Sequence, residues 1–268
     1  MSSHETVKSK DDLLGRATRY VTDISTYIKR TALGEFPPPD PWWLRRPPYQ
    51  VTSEMRCLYD HVNPILAQRL KEAKLKNEIS FQSKKSRKRS KYDPFSIIKK
   101  HQESIASNFQ LERDDFQGKE VITLGCGSLD LYYDFPVRKS VGIDPTFNAL
   151  NKLNNITSNF PRSEFYSCFW ESLPFDNASF DVAGSFNVLD HVDDAAQCIR
   201  ETHRVLKPSG KFYLIVILAY GVSKANYKHP YRFSLEHINE LLSPYFFVKS
   251  ARCEEGTRRG IFIAEKVN

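Results

Sequence analysis

The chain has 268 residues, 40% of them hydrophobic and 26% charged, which is ordinary globular composition and enough for one sizeable core plus an appendage. No apolar run reaches signal-peptide or membrane-span length, and the five cysteines lack CxxC spacing. These features exclude a secreted disulfide scaffold and a spanning protein and lead us to expect a cytoplasmic one. The formal net charge of +7 is uneven, because residues 117–268 hold 17 Lys/Arg against 17 Asp/Glu and the whole excess falls in residues 1–116.

Along the chain, residues 11–30 place Leu13, Leu14, Ala17, Val21, Ile24 and Ile28 at helical spacing. Gly34 and the run Pro37-Pro38-Pro39-Asp40-Pro41 interrupt the chain, and an apolar Trp42-Trp43-Leu44 cluster follows. A second helical pattern covers roughly 53–74, with Pro64 inside it. Lys84 to Lys91 then supplies six cations in eight residues, a solvated loop at 82–92 that could meet an anionic partner or act as a nuclear signal. Asp93-Pro94 opens a third helix, with Phe95, Ile98, Ile105 and Phe109 as its apolar side.

The texture changes after Gly118. Strands are expected near Val121–Leu124, Ser140–Ile143, Glu164–Cys168, Phe180–Phe186, Lys211–Ile217, Phe246–Ala251 and Ile261–Ala264, with helices at about Ala195–Leu206 and after Ser234. Such alternation predicts an α/β fold: a Rossmann-like, seven-stranded, mostly parallel sheet with an antiparallel edge strand, plus an N-terminal helical region. The last two strands are joined too closely for a helical crossover, so antiparallel pairing is required there. We divide the chain into a helical cap, residues 1–110, and a catalytic domain, residues 111–268.

Two features carry chemistry. Val121-Ile122-Thr123-Leu124 runs into Gly125-Cys126-Gly127, a turn that lets a ligand approach the backbone. Val141-Gly142-Ile143 ends in Asp144, 19 residues after Gly125, where a doubly wound fold holds a ribose diol. Both dinucleotides and S-adenosylmethionine (SAM) suit this pair. Position 130, where a dinucleotide fingerprint has its third glycine, is Asp, and a carboxylate at that helix entrance would oppose a pyrophosphate and favour SAM.

The segments Leu173-Pro174-Phe175-Asp176-Asn177-Ala178-Ser179-Phe180-Asp181, Asn187-Val188-Leu189-Asp190-His191-Val192 and Arg204-Val205-Leu206-Lys207-Pro208-Ser209-Gly210 then come at a combined spacing that resembles the class I SAM-dependent methyltransferases, especially their broad small-molecule and lipid group, over about residues 119–268. That resemblance implies Gly125, Cys126 (by its backbone) and Gly127 beneath the methionine part of SAM. It implies Asp144 on the ribose, Pro145 against the adenine, Trp170 and Glu171 flanking the adenine, and Asn187 facing the methionine moiety or the reacting methyl. Three positions depart from the usual pattern. Thr123 stands where an acid is common, Leu129 replaces a loop glycine, and Phe169 replaces the acid that often binds the adenine amino group.

A hydroxyl acceptor would need a base, for which His191 and His229 are the candidates; an amine need only arrive unprotonated. The histidines lack metal-ligand spacing, so no metal is expected. No Asn/Asp-Pro-Pro-aromatic motif follows the fourth strand, which disfavours base-amino methylation of nucleic acid. The expected function is methyl transfer from SAM to a small-molecule, sugar or lipid-like acceptor. The alternatives are an RNA or protein methyltransferase using the basic segment, a non-catalytic binding module of the same fold, and a nicotinamide-dependent oxidoreductase.

Overall fold

The computed structural model describes residues 94–218, 233–254 and 256–267, together with Glu72, 75–81, Ser83 and Tyr231. All of them belong to the compact unit Pro48–Asn268. The expected helix at 11–30, the Trp42-Trp43 cluster, most of the 53–74 pattern, the basic loop and His229 lie outside the described residues.

Seven strands form one sheet: β1 (Glu120–Leu124), β2 (Lys139–Ile143), β3 (Ser163–Tyr166), β4 (Phe180–Phe186), β5 (Leu206–Ile217), β6 (Phe246–Cys253) and β7 (Arg259–Lys266). Their order is β3-β2-β1-β4-β5-β7-β6. The first five run parallel, and β7 enters antiparallel to both β5 and β6. The short β6–β7 connection dictates this, since a hairpin can reverse the chain but cannot supply a parallel crossover. β1 and β4 are buried along nearly their full length, as expected of strands covered on both faces.

Among the described residues, five α-helices flank the strands. α1 (Pro94–Phe109), α2 (Phe147–Asn154) and α3 (Ile156–Asn159) come from the first half, and α4 (Ala195–Val205) and α5 (Leu235–Leu242) from the second. One core joins Ile122, Leu124, Ala183, Leu214 and Val216 to Cys198, Ile199 and Val205 of α4 and to Ile238 and Leu242 of α5. A second core joins Val121, Val182, Tyr213 and Ile215 to Phe109 of α1. α4 starts where its sequence says it should, with the Asp194 carboxylate accepting the Gln197 N–H at 2.9 Å. Ser234 does the same for α5, accepting the His237 N–H at 3.1 Å.

One crossover departs from the simple βαβ pattern. Residues 125–138, between β1 and β2, form turns with no helix. Aromatic packing replaces the missing helix. Phe116, Tyr132 and Phe135 pack mutually with ring centroids 5.1–5.8 Å apart. α1 covers the neighbouring sheet face, with Phe109 5.1 Å from the Tyr213 ring. The Gln102 side-chain amide of α1 donates to the Leu131 carbonyl at 2.9 Å, fixing helix to crossover.

Candidate active site

The site lies beyond the carboxyl ends of β1, β2, β3 and β4, the crevice where doubly wound folds take ligands. Leaving β1, the chain turns so that Gly125 and Cys126 both donate their N–H groups to the Ile143 carbonyl at 2.9 Å. Gly125 has φ +78°, and a Cβ built there would lie 2.5 Å from both methyls of Val188. Only glycine therefore permits this close passage of the β1 loop under the β4 loop. Gly127 has φ +58° with nothing within 4 Å of its missing Cβ, so the loop leaves a cradle that a side chain would fill. The Cys126 thiol lies against Gly142, and burial pushes its pKa well up.

Asp144 follows β2 and joins the two strand tips. Its Oδ2 accepts the Gly127 N–H at 2.9 Å, and its Oδ1 accepts the Thr146 N–H at 2.8 Å and the Thr146 hydroxyl at 2.5 Å. Burial raises the carboxyl's pKa, opposed by these hydrogen bonds, while the nearby charge of Glu78 adds to the rise.

A cavity of about 400 Å³ opens above this floor. That volume lies within the range of small-molecule sites, ~300–1,000 Å³. Gly125, Cys126, Gly127, Asp144, Pro145, Trp170, Glu171, Asn187 and His191 all line it. The fold thus gathers these nine residues from four separate strand ends onto one surface. His229 lies outside the described residues.

Within that surface the individual placements are instructive. Trp170 is 97% covered, and its indole N–H donates to the Thr202 hydroxyl of α4 at 2.8 Å, so most of the ring is core. Its neighbour Phe169 is 44% exposed at the cavity wall. The Glu171 carboxylate accepts the N–H groups of Asp193 and Asp194 at 2.7 and 3.2 Å, fixing the loop that enters α4. Asn187 sits in the left-handed region at φ +61°, and its buried Oδ1 has no hydrogen-bond partner. His191 lies beside the buried Asp190, with 4.0 Å between Nε2 and Oδ1.

Asp130 is not where the charge argument put it. No helix starts there, and its carboxylate is buried, accepting from the Tyr132 N–H, the Ser140 hydroxyl and the Ser163 hydroxyl. It ties the β1–β2 crossover to the feet of β2 and β3 and does not line the cavity, so it discriminates nothing there. Of the other departures, Thr123 is buried in β1, and Leu129 lines the cavity while packing with the apolar cluster of α1, α2 and α3.

The sequence reasoning missed a second wall. Leu75, Glu78 and Phe81, spaced three apart on the helical stretch 75–81, line the cavity together with His101 of α1. The helical spacing in the sequence covers only about 53–74. The i, i+3, i+6 spacing was legible, but nothing local in it points at a cavity.

The methyltransferase domain family matches residues 122–214, from inside β1 to the middle of β5. A probable SAM-dependent methyltransferase of Mycolicibacterium smegmatis is 33% identical over 98 residues, 35% of this chain and 37% of that protein. Residues 122–214 of this chain thus resemble the class I SAM-dependent methyltransferases. A demethylmenaquinone methyltransferase of Chlorobaculum tepidum is 43% identical over 56 residues, 21% of this chain and 23% of that one. The chain thus spans little more than a third, at most, of the length of these two curated relatives. Among solved structures, the Burkholderia thailandensis 1,6-didemethyltoxoflavin-N1-methyltransferase, with its substrate and S-adenosylhomocysteine (SAH) bound, shares the fold. Its TM-score is 0.53 at 18% identity, covering 74% of this chain and 89% of that one. The Mycolicibacterium relative is SAM-dependent, and the Burkholderia structure holds SAH. Among the described residues, no group of three or more His, Cys, Asp or Glu could hold a metal ion, and no helix is long and apolar enough to cross a membrane.

Proposed function

We propose that this chain binds SAM in the 400 Å³ cavity and transfers its methyl group to a small-molecule, sugar or lipid-like acceptor. One observation carries the reading: Asp144 at the tip of β2 holds the Gly127 N–H of the β1 loop at 2.9 Å, on the floor of that cavity. In this reading Asp144 takes the ribose hydroxyls and Pro145 and Phe169 take the adenine, with Trp170 and Glu171 shaping the wall behind. The backbone of Gly125, Cys126 and Gly127 passes beneath the methionine part, with Asn187 at its far end. The name of the Chlorobaculum relative agrees with an acceptor of this broad class.

Bound SAM would supply a methyl group already activated by its sulfonium. The chain's own contribution is then to align the acceptor and exclude water, which can account for several orders of magnitude in rate. His191 and His229 are the candidate bases for a hydroxyl acceptor, and His101 joins them because it lines the same cavity. Calorimetric titration of SAM into the wild type and Asp144→Ala tests the reading. Binding by the wild type, weakened by at least about tenfold in the variant, is expected from loss of a charge-assisted hydrogen-bond acceptor. A folded wild type that binds neither SAM nor SAH would overturn it. Acceptors would then be screened by SAH release.

A further inference from the structure

A second cavity, of about 290 Å³, lies at the amino ends of β1, β4 and β5, at the opposite end of these strands from the crevice. A change of register builds it. Phe180 pairs with Leu206 and Val182 with Lys211, so the single residue Asp181 faces the four residues Lys207-Pro208-Ser209-Gly210. Such a bulge re-aims side chains at a strand end. Ser209, at φ +58°, turns the chain within it. Lys119, just before β1, and Asp115 of the 3-10 turn Arg113–Phe116 line the other side. These segments, residues 113–119, 181–182 and 207–213, all lie among the described residues.

Tyr213 supplies the deciding group. It is only 3% exposed and belongs to the second core, yet it lines this cavity. Its hydroxyl makes no hydrogen bond among the described residues. Burial first, and the charge of Asp115 second, push its pKa up to about 12, so it stays protonated and can donate. A buried hydroxyl without a partner is costly, and one kept at a cavity wall marks a place for a ligand. The acids of the cavity are already engaged. The Asp181 carboxylate accepts the Glu120 N–H at 2.8 Å and the Lys207 ammonium at 2.9 Å, and Asp115 accepts the Glu112 N–H at 2.8 Å. What the cavity offers a ligand is therefore a set of donors: the Tyr213 and Ser209 hydroxyls and the ammonium groups of Lys119, Lys207 and Lys211. A phosphate-type oxyanion matches that set, because its several oxygens accept from several directions at once. We propose that this amino-end cavity is a second binding site, for a phosphate-class oxyanion, with the Tyr213 hydroxyl as its fixed donor and the three lysines around it. The site is independent of the SAM reading above.

The test is calorimetric titration of the full chain with sodium phosphate, against sodium chloride at matched ionic strength. Saturable binding of one phosphate per chain is expected. Tyr213→Phe removes only the hydroxyl and should weaken that binding by about tenfold, as for loss of one hydrogen bond to a charged group. Lys211→Gln, at an exposed side chain, should weaken it similarly with an unchanged thermal melt, and it keeps the test standing if the Tyr213 variant does not fold. Asp144→Ala in the crevice, and Lys139→Gln, whose ammonium pairs with Glu164 at 3.1 Å, should bind phosphate as the wild type does. Glycerol 3-phosphate separates two sources of the same chemistry: binding tighter than inorganic phosphate by about tenfold assigns the site to a phosphate monoester, and comparable or weaker binding assigns it to the free anion. No saturable binding by the folded wild type would overturn the proposal. So would equal loss in Lys139→Gln, which would mark a general charge effect, or loss in Asp144→Ala, which would put the phosphate in the crevice. Unchanged binding by both Tyr213→Phe and Lys211→Gln would overturn it as well.

Discussion

Alanine at Gly125 and at Gly127 should produce opposite phenotypes, although the two glycines are two residues apart in one loop. Both have positive φ, +78° and +58°, so each alanine incurs the left-handed penalty of roughly 1–2 kcal/mol. At Gly125 the new methyl would also lie 2.5 Å from both Val188 methyls, a contact that cannot stand. Val188 is in the β4 loop and packs against the main core, so relief requires moving that loop. Overpacking of this kind costs about 1–3 kcal/mol more. Together these predict roughly 2–5 kcal/mol of destabilisation for Gly125→Ala, read as a fall of roughly 5–15 °C in melting temperature. Gly127→Ala meets nothing within 4 Å, so its melting temperature should fall by only a few degrees. Its methyl instead enters the cradle, and cofactor affinity should drop by about tenfold or more, the cost of roughly 1–3 kcal/mol of overpacking. Differential scanning fluorimetry and calorimetric titration of both variants make the comparison. Equal melting temperatures for the two, or undiminished SAM binding by Gly127→Ala, would refute the steric argument.

Asp130→Ala removes the buried acceptor of the Ser140 and Ser163 hydroxyls and the Tyr132 N–H. It should destabilise by about 2–4 kcal/mol in urea unfolding, yet leave SAM affinity of the folded fraction within a few-fold. Phe169→Ala should do the reverse, because the ring is 44% exposed at the cavity wall. Stability should hold, and SAM affinity should fall by about 1–2 kcal/mol if the ring stacks on adenine. Glu201 binds Arg204 through two hydrogen bonds of 2.8 Å and also accepts the Leu173 N–H. Arg204 foremost holds its carboxyl below the ordinary value of 4.5. A lowered folded-state pKa gives stability that is full above that ordinary value and lost as the pH falls through the folded one. The melting temperature of the wild type should therefore exceed that of Glu201→Gln at neutral pH, and the gap should close in acid below pH 4.5; a gap independent of pH would show that the pair contributes nothing through its charge.

The residue order alone determined the strands, their parallel pairing and the corner where the Gly125–Gly127 turn meets Asp144. These rest on local rules: buried parallel strands read as apolar runs, glycines mark the tight turn, and an acid at the next strand end marks the ribose position. The hairpin of β6 and β7 was equally legible, because its connection is too short for any other pairing. Tertiary structure decided what those rules leave open. Asp130 and Asp144 are both acids near strand ends, but one is consumed by Ser140 and Ser163 while the other lies on the cavity floor. Trp170 and Phe169 are adjacent aromatics, and only packing against Thr202 sends the first inward and leaves the second at the wall. The helix missing between β1 and β2 is replaced by α1 and by Phe116 packing on the crossover's own Tyr132 and Phe135. The wall of Leu75, Glu78, Phe81 and His101 forms only when segments far apart in sequence meet. Periodicity reports which side of an element is apolar; which partner that side finds, and which polar groups are stranded at the edge of the contact, depend on non-local packing that no local pattern encodes.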